Sequence, residues 1–419
     1  MKKKMLYIIL LLCLIVNGLL TYFVFIPYYK DYQIRAAEKK EAERIKNATI
    51  IVELKEERSI PFYTKDTYAS SYIDYINGEI TKDVKINTEK VGEQEVTIEY
   101  INDEDIKIPY TFTITVKDIT APSIWLNSSY TVNTGYQGNI AEDITCIDDY
   151  DDHPKCSIEG IYDTETPGTY PVTFVAEDAS GNVNRKNFNI IVKNKSESST
   201  STPQEKVYTE TLFTDVIDKY KNENTKIGID VSRWQGDINY QAVKDAGVEF
   251  VFIKVGGTIG IDGEYYVDKK FIQNIEGFNE VGIPVGVYIY TYAHDEKTAI
   301  EDAEWILEQI KPYKVDLPIV YDWENWGDVM EFKQSLWSLT RNAKIFLDRV
   351  AEDGYSGMLY SSKNYLEKAW LELEYDTWLA HYTEQTTYQG KYKYWQLCED
   401  GIIDGIDGKV DIDVMYINK

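Results

Sequence analysis

Positive charge is scarce in this sequence. The 419 residues include 44 Lys and Arg against 70 Asp and Glu, which leaves a formal net charge of -26. Proteins that bind nucleic acid irrespective of its sequence neutralise the phosphates with clustered Lys and Arg. The charge balance therefore argues against nucleic acid as a partner. The apolar fraction, 43%, is that of a folded protein and not of a disordered chain.

The N-terminus lacks a signal-peptide cleavage site. Residues 5–26 are apolar except for Asn17, Gly18 and Thr21, and as a helix they would span about 33 Å, enough for a hydrocarbon core of about 30 Å. No small-x-small motif follows this stretch. We therefore predict an uncleaved, single-pass anchor in the cell membrane, which together with a charged helical stalk forms a first segment, 1–48.

Cysteine is also rare, with four in the chain. Cys146 and Cys156 bracket a short acidic loop, and a disulfide there would stabilise the fold by up to about 3 kcal/mol and persist only outside a reducing compartment. The pair predicts that the chain beyond the anchor is extracytoplasmic. Clustered carboxylates also suit a hard cation, but their spacing matches no recognisable calcium loop, so we expect no metal and no cofactor. The aspartates of this alternative are Asp148, Asp149, Asp151 and Asp152.

Two stretches of short alternating strands follow the stalk. They occupy residues 49–118 and 119–194, and they repeat one another: Gly92–Tyr100 in the first corresponds to Gly168–Ala176 in the second. All-strand repeats with Gly, Asn and Asp turns predict tandem immunoglobulin-like β-sandwiches. A polar Ser/Thr-rich linker, 195–225, separates them from the rest of the chain.

Strands and helices alternate from residue 226 to residue 419, which predicts an α/β barrel. After Asp376, however, the gaps between strands are too short for the helix that a parallel crossover needs. Some of the last strands must therefore be antiparallel, and we expect an irregular, incomplete TIM-like barrel. The predicted fold class is thus multidomain: a transmembrane helix, two β-sandwiches and this barrel.

The chemistry is predicted where the barrel strands end. Asp322 and Glu324 close a buried strand at positions i and i+2, which share one face about 7 Å apart along the strand. Two crowded carboxylates have pKa values that are pushed apart, so that one is protonated and can act as a general acid. Tyr321, Trp323 and Trp326 are expected to wall them.

Other strand ends supply further candidates for the same mouth. We predict Asp230 and Asp411 as additional active-site carboxylates, although a single Asp in such a loop is as often a helix N-cap. Aromatic side chains at the strand ends suit stacking on sugar rings or hydrogen bonding to an acetamido group, although in a barrel they also suit the core. The predicted substrate-binding residues are Tyr288, Tyr290, Tyr382, Trp395 and Gln396.

The motifs at these strand ends, taken in order, resemble those of glycoside hydrolase family 25, the lysozymes of the Chalaropsis type. The resemblance implies cleavage of the β-1,4 bond between N-acetylmuramic acid and N-acetylglucosamine in peptidoglycan. Glu324 matches the general acid of that family, and Asp322, Asp230 and Asp411 match its other active-site carboxylates. Lys254, where relatives often have Arg, and Cys398 depart from the pattern. The matching segments are Gly228–Gly236, Phe250–Gly257, Gly282–Ala293, Pro318–Glu324, Trp378–Tyr382, Tyr394–Gln396 and Gly405–Asp413.

The sequence thus predicts a membrane-anchored muramidase for local cell-wall remodelling, which would act with an unidentified cell-envelope apparatus. Asp322 has two possible roles: stabiliser or nucleophile, or holder of the substrate's own N-acetyl group, which we favour. The alternative function is a non-catalytic protein that binds or adheres to wall glycan.

Overall fold

The structure is a computed structural model that describes residues 22, 26–195, 210–261, 263–324 and 333–418. The chain forms two compact units, residues 1–119 and residues 120–419. Each unit has its own sheets and its own buried core, and each is described by itself.

The predicted membrane anchor is contradicted. The first described helix, α1 (Ile26–Asn47), carries the charged residues of the predicted stalk and is exposed along nearly its whole length. Throughout the described ranges, no helix combines the length and the apolar character that a bilayer crossing requires. The predicted span, 5–26, lies outside those ranges except for Tyr22 and Ile26. The single-pass localisation and the membrane as a partner are therefore withdrawn.

The first unit contains what we call the first sheet region, residues 52–117. Its four-stranded sheet has the order β2-β6-β5-β4, in which β5 and β6 form a long antiparallel hairpin and β2 runs parallel to β6. Alternate residues of the hairpin, such as Ile98 and Ile114, are fully buried. Strands β1 and β3 form a separate pair. The strands are β1 (Val52–Leu54), β2 (Ser59–Pro61), β3 (Ile73–Ile76), β4 (Gly78–Lys82), β5 (Gly92–Asn102) and β6 (Lys107–Lys117).

The second sheet region, residues 123–193, opens the second unit and repeats this arrangement. Its sheet has the order β10-β11-β12-β8, again with a long hairpin and a parallel edge strand, β8, and β7 pairs with β9. The one short helix of the described part of this region is α2 (Ile140–Asp143). The strands are β7 (Ser123–Ile124), β8 (Ser129–Asn133), β9 (Cys146–Ile147), β10 (Lys155–Glu159), β11 (Gly168–Glu177) and β12 (Val183–Lys193).

The predicted immunoglobulin-like sandwiches are wrong for both regions. Such a sandwich packs two antiparallel sheets of three or more strands, whereas each region here has one mixed four-stranded sheet and a pair of two short strands. Part of the chain between the strands is not extended and cannot join a second sheet: residues 69–72, for example, form a 3-10 turn.

The rest of the second unit is a closed barrel of eight strands, not the incomplete barrel that we predicted. Going round the ring, the order is β14-β15-β17-β18-β19-β20-β21-β22 and back to β14. Only β22 is antiparallel to its two neighbours, β14 and β21, which confirms that a late strand reverses. The strands are β13 (Thr211–Leu212), β14 (Thr225–Val231), β15 (Phe250–Thr258), β16 (Tyr265–Val267), β17 (Val285–Tyr290), β18 (Ile319–Asp322), β19 (Gly357–Ser362), β20 (Asp376–Ala380), β21 (Tyr394–Ile402) and β22 (Val410–Tyr416).

Irregular pairing in β21 explains the closure. The register between β21 and β22 shifts between Gln396 and Cys398 and again between Cys398 and Gly401. Such bulges bend a strand and increase its twist, so that β21 pairs with β20 along one edge and with β22 along the other. Two short strands lie outside the ring: β13 pairs with β21, and β16 pairs with β15.

Aromatic side chains fill the barrel, and helices cover its outside. Trp378 stacks on Phe252 with ring centroids 4.6 Å apart, and Tyr394 meets the same ring edge-on. The helices bury their apolar faces against the outer faces of the strands. They are α3 (Phe213–Tyr220), α4 (Tyr240–Asp245), α5 (Phe271–Val281), α6 (Glu296–Ile310), α7 (Leu336–Glu352) and α8 (Lys363–Lys368).

Candidate active site

Asp322 and Glu324 lie at the carboxyl end of β18. The alternation of the strand places Val320 and Asp322 on the inward face of the barrel, while Tyr321 packs with the helices on the outside. Asp322 is only 4% exposed, whereas Glu324 is exposed. The pair therefore consists of a buried carboxyl group on the floor of the mouth and an accessible one at its opening.

Electrostatic interactions link these two acids. Burial raises the pKa of Asp322 well above its usual value, and the nearby carboxylate of Glu324 raises it further. The ammonium group of Lys254 acts in the opposite direction on the pKa of Asp322; its Nζ lies 4.7 Å from the ring centroid of Tyr290. Burial and the neighbouring carboxylate therefore both favour the protonated form of the Asp322 carboxyl group.

The aromatic walls differ from those predicted. Tyr321 packs against Phe346 of α7 at 5.2 Å between ring centroids, and Trp323 is fully buried in the same outer core. Neither side chain walls the acids, because both belong to the helix-facing side of the chain. Trp326 lies outside the described residues. The mouth is instead lined by tyrosines from the inward faces of neighbouring strands.

Asp230 and Asp411 face each other across the antiparallel pair β14 and β22. Because β22 runs in reverse, its second residue lies at the rim where the parallel strands end. The two carboxyl groups interact electrostatically. Burial and the neighbouring Asp413 raise the pKa of Asp230 well above its usual value, and burial together with Asp230 raises the pKa of Asp411 to about 9.

Gln396 joins this side of the mouth to two tyrosines. Its Nε2 donates a hydrogen bond of 2.8 Å to Oδ2 of Asp230. Its Oε1 accepts hydrogen bonds from the hydroxyl groups of Tyr360, at 2.9 Å, and Tyr382, at 3.1 Å. The amide is 4% exposed, so both of its ends are satisfied inside the protein. Gln396 thereby fixes the orientation of a carboxyl group and of two phenols.

Tyr288 and Tyr290 of β17 lie between the two acidic pairs. Burial raises the pKa of Tyr288, followed by the charges of Asp230, Asp322 and Asp411. Burial also raises the pKa of Tyr290, followed by the charges of Glu324 and Asp322. Both phenols therefore stay protonated, and their hydroxyl groups can donate to a substrate.

Trp395, by contrast, is not part of the mouth. On β21 its neighbours Tyr394 and Gln396 face inward, so Trp395 faces the outer core, where it is 2% exposed. Its Nε1 donates to the backbone oxygen of His381 at 2.9 Å, and its ring meets Tyr220 of α3 edge-on. The predicted role in stacking on sugar is incompatible with this position.

Asp413 is a further acid that the sequence reasoning missed. It is fully buried and accepts a hydrogen bond of 2.8 Å from Nε1 of Trp378. Burial raises its pKa well above the usual value. The signal was present in the sequence, because Asp411 and Asp413 repeat the i, i+2 spacing of Asp322 and Glu324 on one face of a strand. The charge of Asp413 contributes to the raised pKa of Asp230.

A cavity of about 280 Å³ opens beside Glu324. Its walls come from the ends of β19 and β20 and from α8. They combine phenols, hydroxyl groups, an amide, a lysine and a histidine around Glu324, a lining that suits a polar ring such as a sugar. The lining residues are Glu324, Tyr360, Ser361, Ser362, Lys363, Asn364, Tyr365, Ala380, His381 and Tyr382.

Cys146 and Cys156 form a disulfide bond, which closes the acidic loop of the second sheet region. The aspartates considered above as a cation site take part in shaping this loop. Oδ1 of Asp148 accepts from the backbone N–H groups of residues 150 and 151. Asp151 accepts from the backbone of residues 153 and 179, and Asp152 contacts the ring of His153. Asp149 offers its backbone oxygen to α7.

The barrel mouth thus combines a buried carboxyl group with a raised pKa beside an exposed one, a second acidic pair held by an amide, and protonated tyrosines. Carboxyl groups surrounded by hydrogen-bonding side chains are the arrangement that general acid catalysis on a sugar substrate requires. Water remains available, because Glu324 is exposed.

Comparison with known proteins gives a consistent result. The model of the family described as "Glycosyl hydrolases family 25" matches residues 229–406. A protein from Escherichia coli K12 called "Uncharacterized protein YegX" is 32% identical over 198 residues, which cover 45% of this chain and 68% of that protein. The "Autolytic lysozyme" of Clostridium acetobutylicum is 26% identical over 189 residues, which cover 44% of this chain and 54% of that protein.

Among solved structures, the modular autolysin LytC from Streptococcus pneumoniae, in complex with a synthetic peptidoglycan ligand, is similar with 28% identity and a TM-score of 0.43. The match covers 58% of this chain and 56% of the autolysin. The chain therefore spans little more than half the length of that autolysin and of the Clostridium lysozyme.

Proposed function

This chain belongs to family 25 of the glycosyl hydrolases, and from that membership we propose that its barrel hydrolyses the glycan strands of peptidoglycan. The bond that we propose is the β-1,4 bond between N-acetylmuramic acid and N-acetylglucosamine. The observation that carries the proposal is the buried Asp322, whose pKa is raised, beside the exposed Glu324 in a mouth lined by tyrosines. Similar chains from Clostridium acetobutylicum and Streptomyces globisporus are called lysozymes, which supports the substrate class.

Glu324 is the general acid of the proposed reaction. It is the exposed member of the pair, and it can therefore reach the glycosidic oxygen of a bound strand. Proton transfer to that oxygen lets the bond to the anomeric carbon break without forming a free alkoxide. The raised pKa of Asp322 favours a proton on this buried neighbour of Glu324.

Asp322 then acts on the substrate's acetamido group. A pair of acids on opposite faces of a sugar stands about 5 Å apart or more, in both the retaining and the inverting two-carboxylate schemes. Asp322 and Glu324 instead stand two residues apart at the end of one strand, close enough for the charge of Glu324 to raise the pKa of Asp322, so both approach the bond from one side. This favours attack of the acetamido oxygen on the anomeric carbon, with Asp322 holding the acetamido N–H.

The other acidic pair positions the sugar. Asp230 is held by Gln396, and burial and the charge of Asp413 raise its pKa. The hydroxyl groups of Tyr288 and Tyr290 donate to the acetamido or ring oxygens of the substrate. The predicted role in local wall remodelling, and the predicted envelope apparatus, depended on a membrane anchor and form no part of this proposal.

A turbidity assay on purified cell walls tests the proposal. We expect the full chain to clear the suspension and Glu324→Gln to lose at least about 100-fold in rate, as expected on removal of a general acid. Glu374→Gln serves as the matched control, because Glu374 is exposed just before β20, at the opposite end of the barrel. Mass spectrometry of the products should show N-acetylmuramic acid at the new reducing ends.

Two outcomes would reject parts of this assignment. Products with N-acetylglucosamine at the reducing end would reject the bond, and release from chitin oligomers alone would reject the substrate. If the wild type and Glu324→Gln bind walls equally and neither clears them, the glycan-binding alternative is correct. Crowded buried carboxylates argue against that alternative, because they cost stability that binding alone does not require.

A further inference from the structure

We propose that the second sheet region forms part of the substrate-binding body of this enzyme, with Trp125 positioning Tyr365 in the wall of a sugar subsite beside Glu324. The inference rests on the proposed function and extends it to a part of the chain that precedes the family match, residues 229–406.

The first support is the way in which this region is attached to the barrel. The backbone N–H groups of Leu336 and Trp337 donate hydrogen bonds of 2.8 and 3.0 Å to the backbone oxygens of Asp148 and Asp149. These N–H groups belong to the first turn of α7, where a helix offers donors that have no partner within it. The acidic loop therefore caps a barrel helix, and Ser335 caps the same turn with its side chain.

Apolar packing fixes the same contact. Ile147, directly before the capping carbonyls, is 2% exposed and belongs to the apolar core between the barrel and its helices. Cys146 adjoins it and is tied by the disulfide to Cys156 of β10. The loop is thus held at both of its ends within its own region while its middle is bound to the barrel. Attachment of this kind gives the region a fixed position on the barrel.

The second support is an aromatic contact at the edge of the mouth. Trp125, next to β7, packs against Tyr365 with ring centroids 5.7 Å apart. Tyr365 lines the cavity beside Glu324, and burial together with the charge of Glu324 raises the pKa of the Tyr365 hydroxyl. Trp125 itself is not among the residues that line the cavity. It therefore acts through Tyr365.

Tyr365 needs such support because its own helix supplies little. Helix α8 has six residues and buries none of them fully, and a helix of that length has little stability in isolation. A ring that stacks on a sugar must be held in one orientation to contribute to binding. The contact with Trp125 supplies that restraint from outside the barrel.

The proposal is tested by steady-state kinetics of the full chain on peptide-free strands of alternating N-acetylglucosamine and N-acetylmuramic acid. We expect Trp125→Ala to raise KM about three- to tenfold while kcat stays within about twofold, since an aromatic contact is of that size. Trp125→Phe should restore most of the affinity. Ile161→Ala is the matched control, because Ile161 is 92% exposed in the same region and should leave both constants unchanged.

A double-mutant cycle separates positioning from a general effect on the fold. If Trp125 acts through Tyr365, Trp125→Ala should add little to Tyr365→Ala. Equal KM values for Trp125→Ala and Ile161→Ala, or full additivity with Tyr365→Ala, would overturn the proposal. Should Trp125→Ala fail to fold, Trp125→Leu keeps an apolar side chain without the ring and takes its place in the cycle.

A binding measurement keeps this proposal distinct from the proposed catalytic function. The same strands are titrated into Glu324→Gln, with and without Trp125→Ala. The dissociation constant of the double variant should be about three- to tenfold larger. If the wild type cleaves no strand, the proposed function fails, yet this titration still decides the subsite. Equal dissociation constants would reject the subsite even if cleavage occurs.

Discussion

Asp230 and Gln396 are joined by a hydrogen bond of 2.8 Å at the mouth of the barrel, although they are 166 positions apart in the sequence. The bond sets the orientation of the carboxyl group, and the other end of the same amide holds Tyr360 and Tyr382. One side chain therefore organises three groups that face the substrate. This makes Gln396 a sharp test of the site.

Replacing Gln396 with Ala should lower kcat/KM about 10- to 100-fold. The change removes the hydrogen-bond partner of the buried Asp230 carboxyl group and of the buried Tyr360 hydroxyl group, and each unsatisfied buried polar group costs about 1–3 kcal/mol. Initial rates on wall suspensions measure the activity, and thermal unfolding measures the accompanying loss of stability. Gln389→Ala is the control, because Gln389 is exposed and bonds only to a neighbouring backbone oxygen among its described contacts. Unchanged kinetics in Gln396→Ala would remove this amide from the site.

Lys254 should set the pH at which Asp322 titrates. Burial and Glu324 raise the pKa of Asp322, and Lys254 is the positive charge that lowers it. Removing that charge in Lys254→Met should raise the pKa of Asp322 still further. If Asp322 must be ionised to hold the acetamido group, the acidic limb of the kcat/KM profile moves to higher pH. Activity at neutral pH then falls.

Lys254→Arg provides the matched control for this prediction, since it preserves the charge above Tyr290. The measurement is the pH dependence of kcat/KM between about pH 4 and 9. An acidic limb at the same pH in Lys254→Met and in the wild type would show that Lys254 does not act on the titration of the pair.

Much of the barrel could be predicted because its strands are continuous apolar runs that end in acids. The buried strand that the sequence predicted before Asp322 and Glu324 is observed as Ile319–Asp322. Short strands were missed because two or three residues carry no periodic signal; Tyr265–Val267 is one example. Closure of the ring could not be predicted, since it depends on bulges that become visible only in the pairing of β21 with β22.

Some residues of the site could be predicted from the sequence and others could not, for a physical reason. The acids Asp230 and Asp322 were identified because parallel strands bring their carboxyl ends to one rim. Trp395 was misplaced although the alternation of its strand, with Gln396 inward, already assigned it to the outer face. Trp125 carried no signal at all. Its contact with Tyr365 joins distant parts of the sequence and follows from the docking of one region on another.

The buried acids predict that stability declines as the pH rises. The pKa of Asp411 is about 9 in the folded protein and about 3.9 in an unfolded chain. A raised folded pKa means that the stabilising contribution is complete below about pH 4 and is lost as the pH rises towards 9. The pKa values of Asp230 and Asp413 are raised in the same direction.

Replacing Asp411 with Asn should therefore stabilise the barrel relative to the wild type by about 1–3 kcal/mol at pH 8, and by less at pH 4. Urea unfolding at the two pH values, followed by tryptophan fluorescence, measures the difference. Asp404→Asn, at an exposed position of the loop before β22, should show no such trend. A constant difference between Asp411→Asn and the wild type across this range would contradict the raised pKa of Asp411.

The disulfide should matter for catalysis as well as for stability. Replacing Cys146 and Cys156 together by Ser should lower the stability of the second sheet region by about 2–3 kcal/mol. The loop that they close caps α7, and Trp125, which contacts Tyr365, belongs to the same sheet region as this loop. A less stable region should hold Trp125 less firmly, so KM for glycan strands should rise as it does in Trp125→Ala.

Mild reduction of the wild type offers the same test without a mutation, since the remaining described thiol, Cys398, is buried and burial raises its pKa to about 12. A thiolate at that position scarcely forms at neutral pH, so the effect of a reductant can be assigned to the Cys146–Cys156 bond. Cys398→Ser should respond to the reductant as the wild type does. If reduction lowers the unfolding temperature while KM stays unchanged, the loop stabilises its own region without supporting the subsite.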